Sequence, residues 1–229
     1  PAARPISGGH ATESALGRLP ESTHPRAFPG AEGFGAYARG GRAGRVAYVT
    51  TLADYDRRLG ERIVTGSLRW AIEELKEPRT VLFQTGGTIV LKGGLVLRGE
   101  AGSYVTIAGQ SAPGDGIQLA GYGLTIRDGA HDVVLRYLRI RPGVTSLDRW
   151  KDPDGKGPLP PYLQKWNTDS LTIYGNGDRF VRDVMVDHCS LEWAIDENVG
   201  IAGVVERVTI QHCIIAEGAT FGHYGHPEA

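Results

Sequence analysis

Short runs of apolar residues, separated by Gly, Asn or Asp, recur along the chain from Arg79 onward. Each run is short enough to form a β-strand, and each polar gap predicts a turn. The predicted strands are Val81–Phe83, Thr88–Leu91, Leu95–Leu97, Val105–Ile107, Ile117–Leu119, Leu124–Ile126, Val133–Ile140, Leu171–Ile173, Val184–Val186, Val199–Ile201 and Val208–Ile215. The pattern therefore predicts an all-β protein.

An internal repeat indicates how these strands are arranged. Arg182–Leu191 aligns with Glu206–Ile215 at an offset of 24 residues. Earlier copies begin near Val105 and Val133, 28 residues apart, and an inserted loop at 143–166 accounts for the longer gap that follows. A period of 24–28 residues with three short strands is typical of a parallel β-helix, a solenoid in which each coil adds one strand spacing of ~4.8 Å.

The two ends of the predicted solenoid differ. Apolar residues at helical spacing predict one short helix at 67–76, with Ser67 as its N-cap and Pro78 after its end, and this helix would cap the N-terminal strand edges. Residues 1–26 are predicted to form a loose arm, and 27–229 the N-terminal portion of a single β-helix domain. Since the last predicted coil has no cap, we expect further coils to follow.

Composition narrows the classes of function. Of the 229 residues, 41% are hydrophobic, and the formal net charge is −1. The apolar content excludes a disordered chain, and the balanced charge argues against a nucleic-acid partner. No apolar run is long enough to predict a membrane span. Cys189 and Cys213 should be neighbours on stacked coils, and we expect two small buried thiols rather than a disulfide because parallel stacking aims both side chains the same way.

Carboxylates cluster around the repeated coil. Asp169 precedes it, and Glu192 and Asp196 follow its first strand, so that these side chains and the Asn167 amide converge within one or two strand spacings. Crowded carboxylates repel one another and need protons or a cation. An all-oxygen ligand set favours a hard ion such as Ca²⁺. The alternative is that these acids are solvated turn residues.

Several segments, in order, closely resemble the N-terminal signature of bacterial pectate lyase-like proteins. The matching segments are Ala27–Gly35, Gly40–Arg42, Gly66–Arg69, Arg79–Phe83 with Gly87–Ile89, Ile107–Gly116 and Asp187–Ser190. The resemblance runs from about Ala27 to the end of the chain. It implies a right-handed parallel β-helix, which agrees with the fold that the repeats predict.

The resemblance also implies roles for individual residues. Asp169 and Asn167 lie where the family has calcium ligands, and Glu192 and Asp196 look like its paired acidic ligands. Asp187 and His188 resemble an Asp-His motif whose role in the family is mostly structural. Stacking of His188 on His212 favours that structural role for both histidines over acid–base catalysis.

The chemistry that the resemblance implies is β-elimination on a uronate polymer such as polygalacturonate. The family's base is an Arg on a later coil, so the catalytic residue is expected beyond Ala229 and is not assigned within this chain. The family also carries a substrate-binding Lys after the calcium acids, whereas no Lys follows Lys165 here. Calcium and substrate binding are compatible with both departures.

Candidate substrate-binding residues lie in two places. Arg139 and Arg141, on an earlier coil, are placed to hold substrate carboxylates, or are ordinary surface charges. The 143–166 insertion combines cations and aromatic rings, including Lys165 and Trp166, which suit an anionic sugar polymer. Its alternative is a solvated loop that packs its aromatic side chains on the β-helix.

The leading hypothesis is a secreted, Ca²⁺-dependent polysaccharide lyase, extracellular or periplasmic, or the N-terminal portion of one. It acts as a monomer on an anionic polysaccharide, together with the rest of its own chain and without nucleic-acid or membrane partners. A β-helix glycoside hydrolase with paired carboxylates is the second hypothesis. The third is a non-catalytic carbohydrate-binding β-helix that kept the scaffold and lost the chemistry.

Overall fold

The computed structural model describes residues 25–143 and 168–218. Its strands are β1 Arg45–Val49, β2 Arg79–Phe83, β3 Gly87–Val90, β4 Leu95–Arg98, β5 Val105–Ala108, β6 Ile117–Ala120, β7 Leu124–Arg127, β8 His131–Arg136, β9 Leu138–Arg141, β10 Leu171–Gly175, β11 Val181–Asp187, β12 Ser190–Glu192, β13 Val199–Gly203, β14 Val205–Gln211 and β15 Ile214–Ala216. Short 3-10 turns occur at Phe34–Tyr37, Arg57–Leu59, Glu100–Gly102 and Gly109–Ser111.

These strands form three parallel sheets. The first sheet has the order β1-β2-β5-β8-β11-β14, the second β15-β12-β9-β6-β3, and the third β13-β10-β7-β4. Successive strands along the chain pass from the first sheet to the second and then to the third, so each coil adds one strand to each sheet. The described residues therefore form the predicted all-β parallel β-helix.

Strand pairing confirms the register of the repeat. Val184 pairs with Val208 at the predicted offset of 24 residues, and Val133 pairs with Val105 on one side. Val133 also pairs with Val184, across the insertion. Inward-facing aliphatic side chains then stack from coil to coil and exclude water, and this continuous core provides the main favourable term for folding.

Two predicted strands, Val133–Ile140 and Val208–Ile215, are each interrupted by a corner. Tyr137 and His212 have φ angles of +53° and +51°, which turns the chain from the first sheet into the second. Nothing in the sequence marks these corners, because left-handed positions usually carry Gly, Asn or Asp. Neighbouring coils hold these non-glycine residues in place: the backbone N–H of Tyr137 donates to the carbonyl of Asp187 at 3.1 Å.

The predicted capping helix is present but shorter than expected. A single π-helical turn spans Trp70–Glu74, and the Ser67 hydroxyl accepts from the backbone N–H of Trp70 at 3.2 Å, as an N-cap does. The helix stops because the fully buried Arg79 guanidinium takes its carbonyls: Nε donates to Ala71 at 2.7 Å and Nη2 to Ile72 at 2.6 Å. The side chains of Ala71 and Ile72 close the core at this end.

The glycine-rich segment 30–44 crosses the outer face of the first sheet. The backbone N–H of Gly41 donates to the Thr106 hydroxyl, and that of Gly35 to the Thr209 hydroxyl, both at 2.9 Å. A Cβ on Gly41 would lie 1.9 Å from the Arg79 carbonyl oxygen, so only glycine permits this approach. Residues 1–24 of the predicted arm lie outside the described residues.

The last coil is much more exposed than the earlier ones. Ile214 and Ile215 on β15 are 61% and 49% exposed, whereas Leu191, one coil earlier, is fully buried. The 143–166 insertion lies outside the described residues except for Gly143. Within the described ranges, no helix is long and apolar enough to cross a membrane.

Candidate metal and substrate site

Three carboxylates meet where the second sheet turns into the third. Asp169 precedes β10, and Asp196 and Glu197 lie between β12 and β13. Because Leu171 pairs with Val199, the residues just before these strands face each other on adjacent coils. Asp169, Asp196 and Glu197 each offer an oxygen atom within 4.8 Å of the others. We call this group the acidic cluster.

Backbone and side-chain hydrogen bonds hold the acidic cluster in shape. Asp169 Oδ1 accepts from the backbone N–H of Glu197 at 3.2 Å, and Oδ2 accepts from the Thr172 hydroxyl at 2.6 Å. In return, the backbone N–H of Ser170 donates to the Glu197 carbonyl at 3.2 Å. The carboxylates are therefore positioned by the strand register rather than by flexible loops.

The electrostatics of the acidic cluster favour a cation. Burial, the hydrogen bond and negative charge of Asp169, and the charge of Asp196 together raise the pKa of Glu197 to about 7. Such a shift reflects like charges held too close for all to ionise freely. An all-oxygen donor set of this kind matches the ligands that Ca²⁺ takes. The acidic groups of this chain can thus bind a metal.

Glu192 lies apart from the acidic cluster. Its Oε2 pairs with Nη2 of Arg141 at 3.0 Å, and its Oε1 accepts from the Ser190 hydroxyl at 2.5 Å. Glu192 ends β12 on the second sheet, whereas Asp196 lies in the following turn. The structure therefore brings the predicted Asp169 and Asp196 together, and places Glu197 rather than Glu192 beside them. The role of Glu192 as a ligand stays a prediction, and Asn167 lies outside the described residues.

Sequence reasoning missed Glu197 because its coil partner was hidden by the insertion. The signal was present in the spacing of 28 residues between Asp169 and Glu197, which matches the 28-residue offset of the earlier coils. Taking the 24-residue offset of the first-sheet strands alone leaves Glu197 without a partner. The third-sheet pairing of Leu171 with Val199 decides the matter.

The two candidate arginines lie side by side on β9, with different partners. Arg141 bonds to Glu192, to the Ser190 hydroxyl at 3.0 Å and to Gln118 Oε1 at 3.4 Å. Arg139, which pairs in register with Ser190, has no side-chain hydrogen bond or ion pair within the described ranges. Arg139 is therefore the more available of the two for a ligand carboxylate. Lys165 and Trp166 lie outside the described residues.

Asp187 is the centre of a separate network. Its carboxylate has no exposed surface, and it pairs with Arg136 Nη2 at 2.7 Å and with His188 Nδ1 at 2.9 Å. Burial acts to raise its pKa, but hydrogen bonds from His188, Gln211, Arg136 and His212 outweigh burial and leave the pKa lowered.

The predicted stacking of histidines in this network is present. The His188 and His212 ring centroids lie 4.9 Å apart, and the Tyr137 ring stacks on His188 at 4.7 Å. All three rings project from left-handed corners of successive coils. This arrangement fits the structural role predicted for Asp187, His188 and His212, which stays a prediction.

Both cysteines are free thiols. Cys189 is buried and Cys213 half-buried, and the Cys213 sulfur accepts from the backbone N–H of Cys189 at 3.4 Å. The expected unbridged state is therefore found.

Comparison with known proteins gives the context of this geometry. The chain is 41% identical over 192 residues to a protein of Emericella nidulans named probable pectate lyase C, covering 84% of this chain and 37% of that protein. It is similar to pectate lyases. It is also 27% identical over 180 residues to probable pectate lyase 12 of Arabidopsis thaliana, covering 75% of this chain and 33% of that one. No family model matches the chain.

The fold has a counterpart among solved structures. The crystal structure of Jun a 1, the major allergen from cedar pollen, aligns with a TM-score of 0.57 at 23% identity, covering 78% of this chain and 46% of that one. This likeness concerns the fold alone. The chain spans 37% of the length of the fungal relative and 33% of the plant one. The expected bacterial resemblance is not supported, since these named relatives are fungal and plant proteins.

Proposed function

We propose that the chain is part of a Ca²⁺-dependent polysaccharide lyase that cleaves a uronate polymer, polygalacturonate or a close analogue, by β-elimination. The acidic cluster carries the proposal, since it places three carboxylates on adjacent coils of a β-helix whose relatives are named pectate lyases. Asp169, Asp196 and Glu197 would hold the ion. Glu192 and Asn167 are proposed as further ligands, as the sequence predicts.

A bound Ca²⁺ supplies charge that acidifies the proton at C5 of the uronate and stabilises the developing enolate. The residues of this chain bind and orient the substrate around that position. Arg139, which has no ion pair among the described residues, offers its cation to a substrate carboxylate, and Arg141 lies beside it on the same outward face of β9. Lys165 and Trp166 are proposed to contact the polymer as well.

In the elimination, a base takes the C5 proton, the electron pair forms the C4–C5 double bond, and the C4–O4 bond breaks with the electrons leaving on oxygen. We assign the base to an Arg that follows Ala229, on the resemblance of the sequence. A guanidinium with a pKa above 12 accepts a proton only when it is held close to the carbon in a dry site.

The hydrolase alternative is disfavoured by the spacing of the carboxylates. Retaining glycosidases hold two carboxyl groups about 5–5.5 Å apart and inverting ones farther. Three acids with oxygens within 4.8 Å of each other suit a shared cation better than a separated acid and nucleophile.

The proposed substrate is a large extracellular polymer, so we propose that the protein is secreted, to the cell exterior or the periplasm, and acts as a monomer. Its formal net charge of −1 gives no general attraction to nucleic acid. Recovery of the protein from culture supernatant at the size of one chain tests both statements, and an oligomer confined to the cytoplasm contradicts them.

The decisive experiment follows the ultraviolet absorbance of the unsaturated product from polygalacturonate, with calcium and with a chelator. It is run on this chain and on a form extended past Ala229. Asp169→Asn is compared with Asp183→Asn, which removes a carboxylate on the first sheet outside the acidic cluster. We expect calcium-dependent product that Asp169→Asn abolishes and Asp183→Asn retains.

Other results of this assay identify the alternatives. Cleavage without calcium dependence and without unsaturated product indicates the hydrolase. Binding of the polymer without turnover in either form indicates a carbohydrate-binding protein. Failure of the chain to bind calcium contradicts the assignment of the acidic cluster as a metal site.

A further inference from the structure

We propose that Trp193 is a sugar-binding platform that stacks against one uronate ring of the polymer, beside the acidic cluster. This inference rests on the proposed function for the identity of the polymer. It assigns to Trp193 a role that neither the acidic cluster nor the basic residues supply, which is recognition of the apolar face of the sugar.

The exposure of Trp193 is not a consequence of an open solenoid end. The side chain is 43% exposed, although both neighbouring coils are in place around its backbone. The carbonyl of Trp193 accepts from the backbone N–H of Gly143 on one side at 2.9 Å, and its own N–H donates to the carbonyl of Glu217 on the other at 3.0 Å. The indole therefore lies on the lateral surface of the β-helix, where a polymer can approach.

The indole is also held in one orientation. Its Nε1–H donates to Glu217 Oε2 at 3.0 Å, and the Arg141 guanidinium carbon lies 5.1 Å from the ring centroid. Arg141 is itself anchored by Glu192 at 3.0 Å. Since these contacts already order the side chain, little conformational entropy remains to be lost when a ligand stacks on it.

The contacts also determine what the ring offers to a ligand. Because the indole N–H is satisfied by Glu217, the remaining exposed surface of the ring is apolar. A pyranose ring presents C–H groups on its faces, and these pack on a flat aromatic surface, while its carboxylate and hydroxyl groups extend around the edge. A rigid Trp supplies such contact area at low entropic cost.

The position of Trp193 connects it to the rest of the site. It lies three residues before Asp196, and the intervening Ile195 donates its backbone N–H to the carbonyl of Thr168, which directly precedes Asp169, at 3.2 Å. On its other side are Arg141 and, one turn of the pleat further along β9, Arg139. A uronate chain lying along this surface would meet an aromatic platform, a cation and the acidic cluster in succession.

The test measures the affinity of the full chain for a galacturonate oligomer of defined length, by calorimetry in the presence of calcium, at low and at high salt. The variants are Trp193→Ala and Trp193→Phe. Phe180→Ala is the matched control, since Phe180 is 40% exposed in the turn between β10 and β11. Trp193 has a φ of +58°, and alanine at this position carries the same backbone strain, so the substitution removes the ring alone.

We expect Trp193→Ala to weaken binding about ten-fold, and Trp193→Phe and Phe180→Ala to weaken it by less than about three-fold. The loss in Trp193→Ala should be equal at both salt concentrations, because stacking is not screened. The loss in an Arg139→Gln variant should shrink as salt rises, because a charge pair is screened. Thermal unfolding verifies that each variant is folded.

The outcomes separate this inference from the proposed function. If the unmodified chain binds the oligomer and folded Trp193→Ala binds it equally well, the platform is refuted while the proposed function stands. A loss in Trp193→Ala that disappears at high salt refutes stacking as its cause. If the unmodified chain binds no galacturonate oligomer under any of these conditions, both the platform and the proposed substrate are rejected.

Discussion

Asp169 and Glu197 are joined across one coil of the β-helix, since Asp169 Oδ1 accepts from the backbone N–H of Glu197 at 3.2 Å. The bond fixes two carboxylates, 28 residues apart in the chain, next to each other and next to Asp196. Their mutual repulsion is tolerated because the parallel pairing of β10 with β13 sets their positions. A cation relieves that repulsion.

The ligand set can be distinguished by two isosteric substitutions. We expect Glu197→Gln to lower calcium affinity at least ten-fold, because it removes one of three charges around the ion. We expect a smaller loss from Glu192→Gln, whose carboxylate is paired with Arg141. Titration calorimetry with Ca²⁺ measures both. A larger loss in Glu192→Gln than in Glu197→Gln would show that Glu192 leaves Arg141 to bind the ion.

The pKa of Glu197 predicts an unusual dependence of stability on pH. Its folded pKa of about 7 lies above the ordinary value of 4.5, so between these values the folded state holds a proton that the unfolded state has released. Without calcium, stability should therefore fall as pH rises from 4.5 to 7, and calcium should restore it at pH 8.

Melting temperatures at pH 5 and pH 8, with calcium and with a chelator, test this dependence. Glu197→Gln serves as the comparison, since it has no titrating group at this position. Its melting temperature should depend less on pH in this window. An unchanged slope in Glu197→Gln would assign the effect to other groups.

The buried pair of Asp187 and Arg136 should contribute strongly to stability. Asp187→Asn leaves the guanidinium of Arg136 without its partner in a buried site, and we expect a loss of about 3 kcal/mol in the free energy of unfolding. The control is Asp183→Asn on the same strand, whose pair with Arg207 is partly exposed, with an expected loss below about 1 kcal/mol.

Urea unfolding measures both variants of this pair. Because the folded pKa of Asp187 is lowered, its contribution is complete above its ordinary value of 3.8 and is lost as pH falls through the folded value. Equal losses in Asp187→Asn and Asp183→Asn would contradict a special role for the buried carboxylate.

The crossing of the glycine-rich segment over the first sheet should tolerate no side chain. Gly41→Ala places a Cβ 1.9 Å from the Arg79 carbonyl oxygen, so the segment must move off the sheet. We expect a loss of at least about 2 kcal/mol in the free energy of unfolding.

Gly94→Ala is the control, because the nearest atom to its Cβ would be 3.9 Å away, in ordinary contact. Its stability should change by less than about 0.5 kcal/mol. Thermal and urea unfolding compare the two variants. A Gly41→Ala protein as stable as Gly94→Ala would show that the segment is not held against the sheet.

Much of the architecture follows from local pattern. The apolar runs predicted the strands, and the repeat of Val184 at Val208 predicted the parallel pairing, because identical inward side chains on successive coils must stack to bury their apolar surface. The same repeat predicted the stacking of His188 on His212. The capping helix was located correctly, but its length depended on Arg79, a residue beyond its end that binds the carbonyls of Ala71 and Ile72.

By itself, the sequence determined the β-helix, its register and the two aspartates of the acidic cluster, since these depend on periodicity along the chain. Only the tertiary structure decided that Glu197 joins Asp169 while Glu192 turns to Arg141. The direction of a carboxylate in a turn or at a strand end depends on backbone angles and on partners from other coils. Those partners lie 28 and 51 residues away in the chain, on either side of an insertion that interrupts the period.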